Sequence, residues 1–467
     1  MQSQLKAKAI ALPLALLSLG AVLVAGCSSG SAGISANAAN TGSSFVIGTD
    51  APMASVTSFS VQIQSITATD ANGNSVSLLS GTPTVDFARF NGLQTLLDMN
   101  NVAAGTYTNV TINLGAATLG YLDTTTAEPT IQTEAATLTS SSVSVALTKP
   151  LVVSVNGAPA GLRIDFNLHK SIQVDSNGQI TGVVDPTFAI NGVSNTDSGA
   201  YIDEFVGAVV SVNSSGQSFV VQGPHGHQFT VNVDSNTQWD GKGSISDLTT
   251  SSIVTFSGKL DRAASTIDAD EVAIVSQDGF YAGGLVTYVN TATGPATSFD
   301  LYVRGLLPTT TGLQLGQIGK VDLSGSETFS IYWMNNPLTQ YLFNQSALVA
   351  GQHLAIGGPA SGAANASAVT VNRVMLRASG INGTIVPGSI NTTNGSFQIQ
   401  VSGFAGVLIP QTVTVYVTGK TEWRDGFSDL SNLADNDKVR VVGLLLKNTT
   451  NGNTILIGRY CDDMIDN

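Results

Sequence analysis

Ser58-Phe59-Ser60-Val61-Gln62-Ile63-Gln64 alternates polar and apolar side chains at every step. Because successive side chains of a β-strand point to opposite faces of its sheet, this period of two predicts a strand with one buried face. The same alternation recurs at 110–114 and 164–168, whereas stretches with the helical period are nearly absent. Only 90–99 suits a short helix. The sequence therefore predicts an all-β protein.

Turn signals separate the predicted strands of the N-terminal region. Asn72-Gly73 predicts a hairpin, since both residues tolerate the positive φ that a tight two-residue turn requires. Several strands with turns at short intervals are typical of a sandwich. We therefore predict an antiparallel β-sandwich over 45–197.

Three copies of one strand pattern follow the predicted sandwich: Phe229-Thr230-Val231-Asn232-Val233, Phe329-Ser330-Ile331-Tyr332-Trp333 and Val413-Thr414-Val415-Tyr416-Val417. Trp239 and Trp423 come ten residues after the first residue of the first and third copies. On this alignment the middle copy has Thr339 in place of a tryptophan and Tyr341 just beyond it. The pattern indicates tandem domains, the middle one being the most divergent.

Each copy continues with a short turn or helix and two further strands. Acidic-leucine turns occur at Asp247-Leu248 and Asp429-Leu430, and the next strand ends on a glycine at Gly258, Gly358 or Gly443, which suits a sharp bend. Five strands with one helical element between the third and fourth is the order of an OB-like barrel. We predict three tandem five-stranded OB-like barrels, at 205–277, 280–377 and 379–460, followed by a polar tail at 461–467.

Four segments of the predicted sandwich carry a family resemblance: Asp50-Ala51-Pro52, the strand 59–66, Phe90-Asn91-Gly92-Leu93 and Ala104-Gly105-Thr106-Tyr107. They resemble the bacterial family called domain of unknown function 4382, which implies a transthyretin-like or carbohydrate-binding-like sandwich. The three repeats resemble a second family, domain of unknown function 5666. Neither resemblance implies a catalytic site.

The N-terminus has the organisation of an export signal. Lys6 and Lys8 precede an apolar run at 10–24, and Leu23-Val24-Ala25-Gly26-Cys27 resembles a bacterial lipobox. The resemblance implies removal of residues 1–26 and lipidation of Cys27. The segment 27–44 is rich in small polar residues, and this composition predicts a flexible tether. The alternative is an uncleaved membrane anchor, but the apolar run is shorter than the roughly 20 residues that a bilayer requires. Ser28, next to the lipidated cysteine, favours the outer membrane, at its periplasmic face or the cell surface.

Composition narrows the function further. Charged residues make up 11% of the 467 residues, against about 25% in an average soluble domain, and the net charge is −13. An acidic surface repels phosphate backbones, which argues against a nucleic-acid partner. Apart from Cys27, Cys461 is the only cysteine, so an intramolecular disulfide framework is excluded. Its polar surroundings indicate an idle thiol.

Several polar clusters invite a site but have simpler interpretations. His225 and His227 flank a turn glycine and could share a metal, although a solvated hairpin is favoured. His169 and Asp165 would share the outer face of one strand. Asp70-Ala71-Asn72-Gly73-Asn74 begins like a calcium loop but has Gly81 where the bidentate carboxylate belongs. Asp435-Asn436-Asp437 could hold a cation weakly, and a connecting loop is favoured.

Motifs for a nucleophile, a phosphate loop or a zinc helix do not occur. We therefore expect a non-catalytic, cofactor-free outer-membrane lipoprotein that binds a glycan or an envelope protein, or has a structural role. Trp239 and Trp423 are candidates for stacking on a ligand, with packing against a barrel core as the simpler role. The alternatives are an exported enzyme acting on polysaccharide, which requires clustered carboxylates in an interdomain cleft, and a weak calcium- or metal-binding surface protein.

Overall fold

The computed structural model describes residues 41–51, 56–90, 93–123, 130–194, 196–197, 200–223, 226–240, 243–261, 266–291, 295–308, 312–333, 343–359, 368–402, 412–424, 426–448 and 452–463. The predicted signal peptide, Cys27 and the tether up to residue 40 lie outside this set, as do His225, Thr339 and Tyr341. The prediction of a tether is wrong for residues 41–44, which begin the strand Thr41–Ala51. Within it, none of the helices has the length and hydropathy to span a bilayer.

The N-terminal unit is built from short and long strands: β1 (Thr41–Ala51), β2 (Val56–Asp70), β3 (Ser75–Ser77), β4 (Thr84–Asp86), β5 (Thr95–Ala103), β6 (Gly105–Asp123), β7 (Thr130–Ala135), β8 (Thr137–Leu138), β9 (Ser142–Val153), β10 (Ala160–Asn167), β11 (Ile172–Val174), β12 (Ile180–Val184) and β13 (Phe188–Ser194). A 3₁₀ helix, Phe87–Arg89, follows β4, and the four-residue helix α1 (Leu168–Ser171) follows β10. The helix predicted at 90–99 is therefore wrong, because most of that segment belongs to β5, an apolar strand beside β1.

These strands form a sandwich. One sheet has the order β13-β10-β1-β5, and the other has the order β3-β2-β6-β7, with β4 and β9 pairing to β2 and β6. The sheets meet through aromatic side chains, as where the ring centroids of Phe59 and Phe166 lie 4.9 Å apart. Phe59, Val61 and Ile63 are buried, as their alternation predicts. The all-β sandwich is confirmed, with a parallel pair, β1 and β10, in the first sheet and a second, β8 and β12, in a small third sheet that also contains β11.

The rest of the chain forms three further units, which we call barrels 1, 2 and 3. Barrel 1 contains β14 (Tyr201–Asn213), β15 (Ser218–Gln222), β16 (Gln228–Asn232), β17 (Gln238–Trp239), β18 (Ile253–Leu260) and β19 (Thr266–Ser276). Barrel 2 contains β20 (Gly279–Asn290), β21 (Ser298–Leu307), β22 (Ile318–Asp322), β23 (Thr328–Ile331), β24 (His353–Pro359), β25 (Ala368–Thr370) and β26 (Arg373–Arg377). Barrel 3 contains β27 (Ser379–Ile385), β28 (Ser396–Ser402), β29 (Thr412–Tyr416), β30 (Glu422–Arg424), β31 (Lys438–Lys447) and β32 (Thr454–Asp463).

Each barrel closes through a parallel pairing of its third and last long strands. In barrel 1 the strand order is β16-β15-β14-β18-β19, and β16 returns to pair with β19. Barrel 3 repeats this order and closes β29 against β32, while barrel 2 closes β22 against β25. A 3₁₀ helix lies between the third and fourth long strands: Ile245–Asp247, Gln345–Ala347 and Leu430–Asn432. This is the strand order of an OB-like barrel, as predicted.

The pairing corrects the repeat alignment of the middle copy. The parallel pairings that close the barrels centre on Val231, Val321 and Val415 of the third strands. An aromatic residue comes eight positions after each of these valines. These aromatic residues pair in parallel with the last strand: Trp239, Phe329 and Trp423. Phe329, and not Thr339, is therefore the equivalent of the two tryptophans. The sequence alignment selected the segment 329–333 because β22, Ile-Gly-Lys-Val-Asp, has a weaker alternation of apolar residues.

The two acidic-leucine turns, Asp247-Leu248 of barrel 1 and Asp429-Leu430 of barrel 3, do not occupy equivalent positions either. The residues that cap the three helices at their N-termini are Ser244, Asn344 and Asp429. A buried leucine follows each helix directly: Leu248, Leu348 and Leu433. Asp429 is thus a helix cap, whereas Asp247 is the third residue of its helix. The landmark that the barrels share is the leucine that closes this turn.

The glycine at the end of the fourth strand marks a close approach of two backbones. A Cβ atom on Gly258, Gly358 or Gly443 would lie 2.2, 2.6 or 2.0 Å from a carbonyl oxygen of the last strand. Opposite Gly258 and Gly443 the last strand carries a β-bulge, in which one residue has no partner across the ladder. The bend predicted from these glycines is therefore a bulge in the neighbouring strand.

The C-terminal strand extends further than the sequence indicates. β32 continues through Cys461, and the Cys461 side chain is fully buried in the core of barrel 3. Burial raises the pKa of this thiol, with the nearby Asp462 carboxylate adding to the shift. The polar tail predicted from 461 is thus wrong as far as Asp463, because the polar Asp462 is itself buried, in an ion pair with Arg440 of the neighbouring strand. Residues 464–467 lie outside the described part of the chain.

We expect Gly443→Ala to destabilise barrel 3 by about 1–3 kcal/mol, because the new methyl group collides with the Ile457 carbonyl and the backbone must move. Urea denaturation of the purified chain measures the effect. Gly419→Ala is the control, since no heavy atom lies within 4 Å of its added Cβ. Equal stability of the two variants would contradict the proposed need for glycine at the bulge.

Candidate functional site

A cavity of about 520 Å³ lies where the three barrels meet. Barrel 1 contributes half of the lining residues, including Tyr201, Gln238 and Glu271. Barrel 2 contributes Trp333, and barrel 3 contributes Arg459 and Tyr460 among others. The lining is predominantly polar and carries charges of both signs, so it provides hydrogen-bond donors and acceptors.

Two equivalent bulges supply three of the charged residues of this cavity, Asp270, Glu271 and Arg459. In barrel 1, Ser257 pairs with Glu271 and Gly258 with Ala269, so Asp270 is the unpaired bulge residue. In barrel 3, Val442 pairs with Tyr460 and Gly443 with Gly458, so Arg459 is the bulge residue. A bulge interrupts the alternation of side chains between the two faces of a strand. Consecutive residues can therefore line one cavity, as Asp270 and Glu271 do.

Glu271 is a buried acid with an unsatisfied oxygen. Glu271 is only 5% exposed, and its Oε2 has no hydrogen-bond partner among the described residues. Burial raises the pKa of Glu271 to about 6, against the opposing effect of Arg459, and the charges of Glu204, Asp270 and Asp203 add to the rise. A buried carboxylate oxygen without a donor costs free energy in the folded protein.

Arg459 is the complementary group. It is 8% exposed, and its Nη1 has no hydrogen-bond partner within the described part of the chain. Its guanidinium carbon lies 5.2 Å from the ring centroid of Tyr460 and 5.9 Å from that of Trp333. Trp333 has a φ of 106°, which is unfavourable for a bulky residue and persists only where the surroundings fix it. The cavity lining therefore holds a buried cation against two aromatic rings.

The rim of the cavity is exposed and balanced in charge. Barrel 1 supplies Lys259 and Asp270, and barrel 3 supplies Lys420 and Glu422. Each barrel thus places one cation and one anion at the entrance. Such a rim favours neither sign of ligand charge over a long distance.

Beneath the cavity lies a buried set of polar residues, Gln94, Asp203, Glu204, Arg377 and Tyr460, which we call the polar junction. The Tyr460 hydroxyl donates a hydrogen bond of 2.7 Å to one carboxylate oxygen of Asp203, and the backbone N–H of Gln94 donates one of 3.1 Å to the other oxygen. Burial raises the pKa of Asp203 although Arg459 and Arg424 oppose it. Asp203 thereby joins barrel 1 to the sandwich and to barrel 3.

Glu204 makes the corresponding connection to barrel 2. Its Oε2 lies 2.7 Å from Nε of Arg377, and its Oε1 accepts a 3.0 Å hydrogen bond from the Ala378 amide. Arg377 also donates to the Glu204 carbonyl at 2.6 Å and to the Tyr281 hydroxyl at 3.0 Å. Asp203 and Glu204 lie where the pairing of β14 with β18 shifts register, and Glu204 has a φ of 46°. This irregular backbone lets two adjacent acids bind three neighbouring units.

The two tryptophans predicted as candidates lie beside the cavity and do not line it. Trp239 and Trp423 are partly buried against the cores of barrels 1 and 3. The residue before each tryptophan, Gln238 or Glu422, does line the cavity. The third tryptophan, Trp333, lines it directly. Ligand stacking by Trp239 or Trp423 stays a prediction, while their contacts with the cores agree with a packing role.

The histidines occupy places that differ from those predicted. His227 lies in the expected hairpin turn, but its Nδ1 lies 3.2 Å from the Ser80 hydroxyl and 3.7 Å from Asp98 of the sandwich. The predicted turn is present, and the His227 side chain, 23% exposed, contacts the sandwich from it. β10 ends at Asn167, whose side chain caps α1, so His169 lies exposed on that helix and not on the strand face of Asp165.

The acidic loops bind their own backbones. Asp70 accepts hydrogen bonds from the amides of Asn72 and Asn74 at 2.9 and 2.8 Å, which makes the predicted turn. Asp435 and Asp437 accept from the amides of Gly388 and Ala434 at 2.9 and 2.7 Å. No group of three or more potential metal ligands converges within the residues that the structure describes.

Sequence reasoning missed the charged residues of the cavity and the polar junction. One signal was available: Asp203-Glu204 interrupts an apolar strand in a chain with few charges. Buried acids of this kind need partners, so their position marks an interface or a site. The partner residues come from distant repeats, and sequence alone does not bring Arg377 and Tyr460 together.

Comparison with known families assigns the N-terminal unit. Residues 43–181 match the family described as Domain of unknown function (DUF4382). This confirms the resemblance for the sandwich, and the match ends before the barrels and the cavity. Comparison with curated proteins gives no significant match.

We expect Arg377→Met to destabilise the protein by about 3–5 kcal/mol, because it leaves the buried Glu204 carboxylate without its counter-ion. Thermal and urea denaturation measure the loss. Lys149→Met is the matched control, since the Lys149–Asp197 pair is largely exposed and contributes at most about 1 kcal/mol. Similar stabilities for the two variants would show that the polar junction does not hold the units together.

Glu271→Gln should stabilise the protein at neutral pH. The folded-state pKa of about 6 lies above the ordinary value of 4.5, so the contribution of Glu271 to stability is present below pH 4.5 and is lost as the pH rises through 6. We therefore expect the variant to exceed the original chain by up to about 2 kcal/mol above pH 6, with the difference vanishing near pH 4. Unfolding free energies from pH 4 to 8 measure this, with the exposed Asp268→Asn on the same strand as control. A difference that is independent of pH would contradict it.

Proposed function

We propose that this chain is an exported bacterial lipoprotein that binds a glycan in the cavity between its barrels without transforming it. The observation that carries this proposal is the mixed lining of the cavity, in which the oppositely charged Glu271 and Arg459 occur beside aromatic side chains. Sugar hydroxyls both donate and accept hydrogen bonds, so they match a lining that contains donors and acceptors. A cavity of about 520 Å³ is within the usual size range of small-molecule sites.

The aromatic side chains support a sugar ligand. Trp333, Tyr201 and Tyr460 line the cavity close to the charged pair. Such rings present an apolar body and a polar tip, which matches the mixed surface of a sugar ring. The positions of Arg459 and Trp333 are fixed by packing, so little conformational entropy is lost when a ligand binds.

The envelope location rests on the sequence. The apolar run and Leu23-Val24-Ala25-Gly26-Cys27 support cleavage before Cys27 and lipidation of its thiol and amine. Several acyl chains would hold the protein at a membrane, since stable anchoring requires at least two such signals. Ser28 supports the outer membrane as the destination. The repeated barrels, which resemble the family called domain of unknown function 5666, would then extend from this anchor.

A hydrolase acting on polysaccharide is the second candidate. The observation that favours it is the presence of Asp270, Glu271 and Glu422 in one interdomain cavity. The raised pKa of Glu271 would suit a general acid, which glycoside hydrolysis requires beside a second carboxylate. Release of new reducing ends from polysaccharide, abolished by Glu271→Gln, would replace the binding proposal with this one.

Binding is tested with the mature chain, purified in detergent, on a glycan array and then by titration calorimetry with the saccharides it retains. We expect Arg459→Met to weaken binding about 10–100-fold, because a charged hydrogen bond of about 1.5–3 kcal/mol is lost. Lys438→Met, which removes an exposed cation outside the cavity, should leave binding unchanged. Retention of no saccharide by the folded chain would contradict the proposal.

Lipidation is tested separately with Cys27→Ser. We expect the variant to lose its acyl chains and to remain uncleaved, because the thioether lipid on the cysteine is required for processing at a lipobox. Mass spectrometry of the N-terminal peptide and membrane fractionation measure both effects. Cys461→Ser is the control and should still be lipidated. An unlipidated but membrane-bound original chain would support an uncleaved anchor instead.

A further inference from the structure

One end of the sandwich lies next to the segment that joins it to Cys27. β1 begins there at Thr41, and a Cβ atom on Gly42 would lie 2.3 Å from the Ser154 carbonyl oxygen, just past the end of β9. β5 also ends there, and β6 and β10 begin there. We call this end, which comprises 41–44, 100–106 and 152–160, the tether end.

Two valines are exposed at the tether end. Val152 of β9 is 52% exposed, and Val155, in the turn that follows, is 43% exposed. The Gly157 amide donates a 3.2 Å hydrogen bond to the Ser154 carbonyl, and Asn156 between them has a φ of 51°, which asparagine tolerates better than most residues. The backbone of this turn therefore fixes the position from which Val155 meets solvent.

The tether end is free of charge in a chain whose net charge is −13. The segments that form it lie within 41–49, 99–106 and 150–162, and none of these contains a charged residue. Lys149, which precedes the third segment, lies 2.5 Å from Asp197 and pairs with it. Because anionic headgroups repel acidic surfaces, an end without acids can approach a bilayer without that electrostatic cost.

Barrel 1 stops short of the tether end. It packs on the outer face of the first sheet as far as the pair Phe45 and Met99, which contact its core. The next pair on the same face, Ser43 and Asn101, forms an exposed hydrogen bond of 3.3 Å. The tether end thus extends past this contact with barrel 1.

The proposed anchor keeps the tether end close to the membrane. Thirteen residues, 28–40, separate Cys27 from Thr41. A Gly- and Ser-rich chain of that length has a root-mean-square span of about 20 Å and a maximum span of about 50 Å. Exposed apolar side chains held within this range can enter the lipid interface, where they are removed from water.

We infer that the tether end is a membrane-contacting surface, in which Val152 and Val155 enter the interfacial region of the bilayer that holds the acyl chains of Cys27. The inference rests on the lipidation of Cys27 in the proposed function and is independent of glycan binding. It implies a fixed orientation, with the opposite end of the sandwich directed away from the membrane.

The test compares two exposed serines at opposite ends of the sandwich, Ser154 and Ser176. Ser176 comes after β10, α1 and β11, and β10 alone spans roughly 25 Å. Each serine is replaced by cysteine in the lipidated chain, labelled with a fluorophore and reconstituted in vesicles of phosphatidylethanolamine and phosphatidylglycerol that contain a headgroup nitroxide lipid. Cys461 is buried and the thiol of Cys27 is blocked by its lipid, so the new thiol takes the label.

We expect nitroxide quenching to be at least about threefold stronger for Ser154→Cys than for Ser176→Cys, because the length of the strands separates the two labels. Val152→Ser combined with Val155→Ser should reduce this ratio at least about twofold, since a hydroxyl group is poorly accommodated in an apolar environment. Val174→Ser, which changes a 46% exposed valine near Ser176, is the control and should leave the ratio unchanged. Thermal denaturation verifies that each variant is folded.

The outcomes separate the contact from the anchor. Equal quenching of the two labels on a lipidated, vesicle-bound chain overturns the inference and leaves the anchor in place. A ratio that the paired valine substitutions do not change also overturns it, because the tether alone would then determine the orientation. Absence of lipid on Cys27, measured by mass spectrometry, removes the proposed anchor and the inference with it.

Discussion

Two adjacent buried carboxylates, Asp203 and Glu204, impose the constraint on which the arrangement of the four units depends. Each must be hydrogen-bonded or paired, because an isolated buried charge is too costly to retain. Their partners are Gln94 of the sandwich, Arg377 of barrel 2 and Tyr460 of barrel 3. The barrels therefore meet in one relative orientation, and the cavity above the polar junction has a fixed shape before any ligand arrives.

Much of the fold could be predicted from local pattern, since strand alternation and turn residues act over a few positions. The alternation at 58–64 identifies a buried face correctly, and Gly258 and Gly443 mark the places where two backbones approach. The helix predicted at 90–99 failed because the apolar residues of β5 were interpreted without their neighbouring strand. The third strand of barrel 2 was missed because its closure depends on a parallel pairing that leaves little trace in its sequence.

The candidate site could not be predicted in the same way. Glu271 and Arg459 are separated by almost two repeats, and only closure and packing of the barrels bring them to one cavity. Bulges also reverse the expected direction of side chains, so alternation would have assigned Asp270 and Arg459 to the wrong faces. The acidic pair Asp203-Glu204 was visible in the sequence, but its partners were not.

The repeated bulge has a consequence for how such a chain can diversify. Its geometry is determined by the backbone and by the facing glycine, and it imposes little on the identity of the bulge residue itself. Barrel 1 has aspartate there, and barrel 3 has arginine. Duplication of one barrel therefore yields copies in which a single codon can alter the chemistry of a shared pocket while the scaffold stays intact. New recognition properties can arise in this architecture without any new backbone.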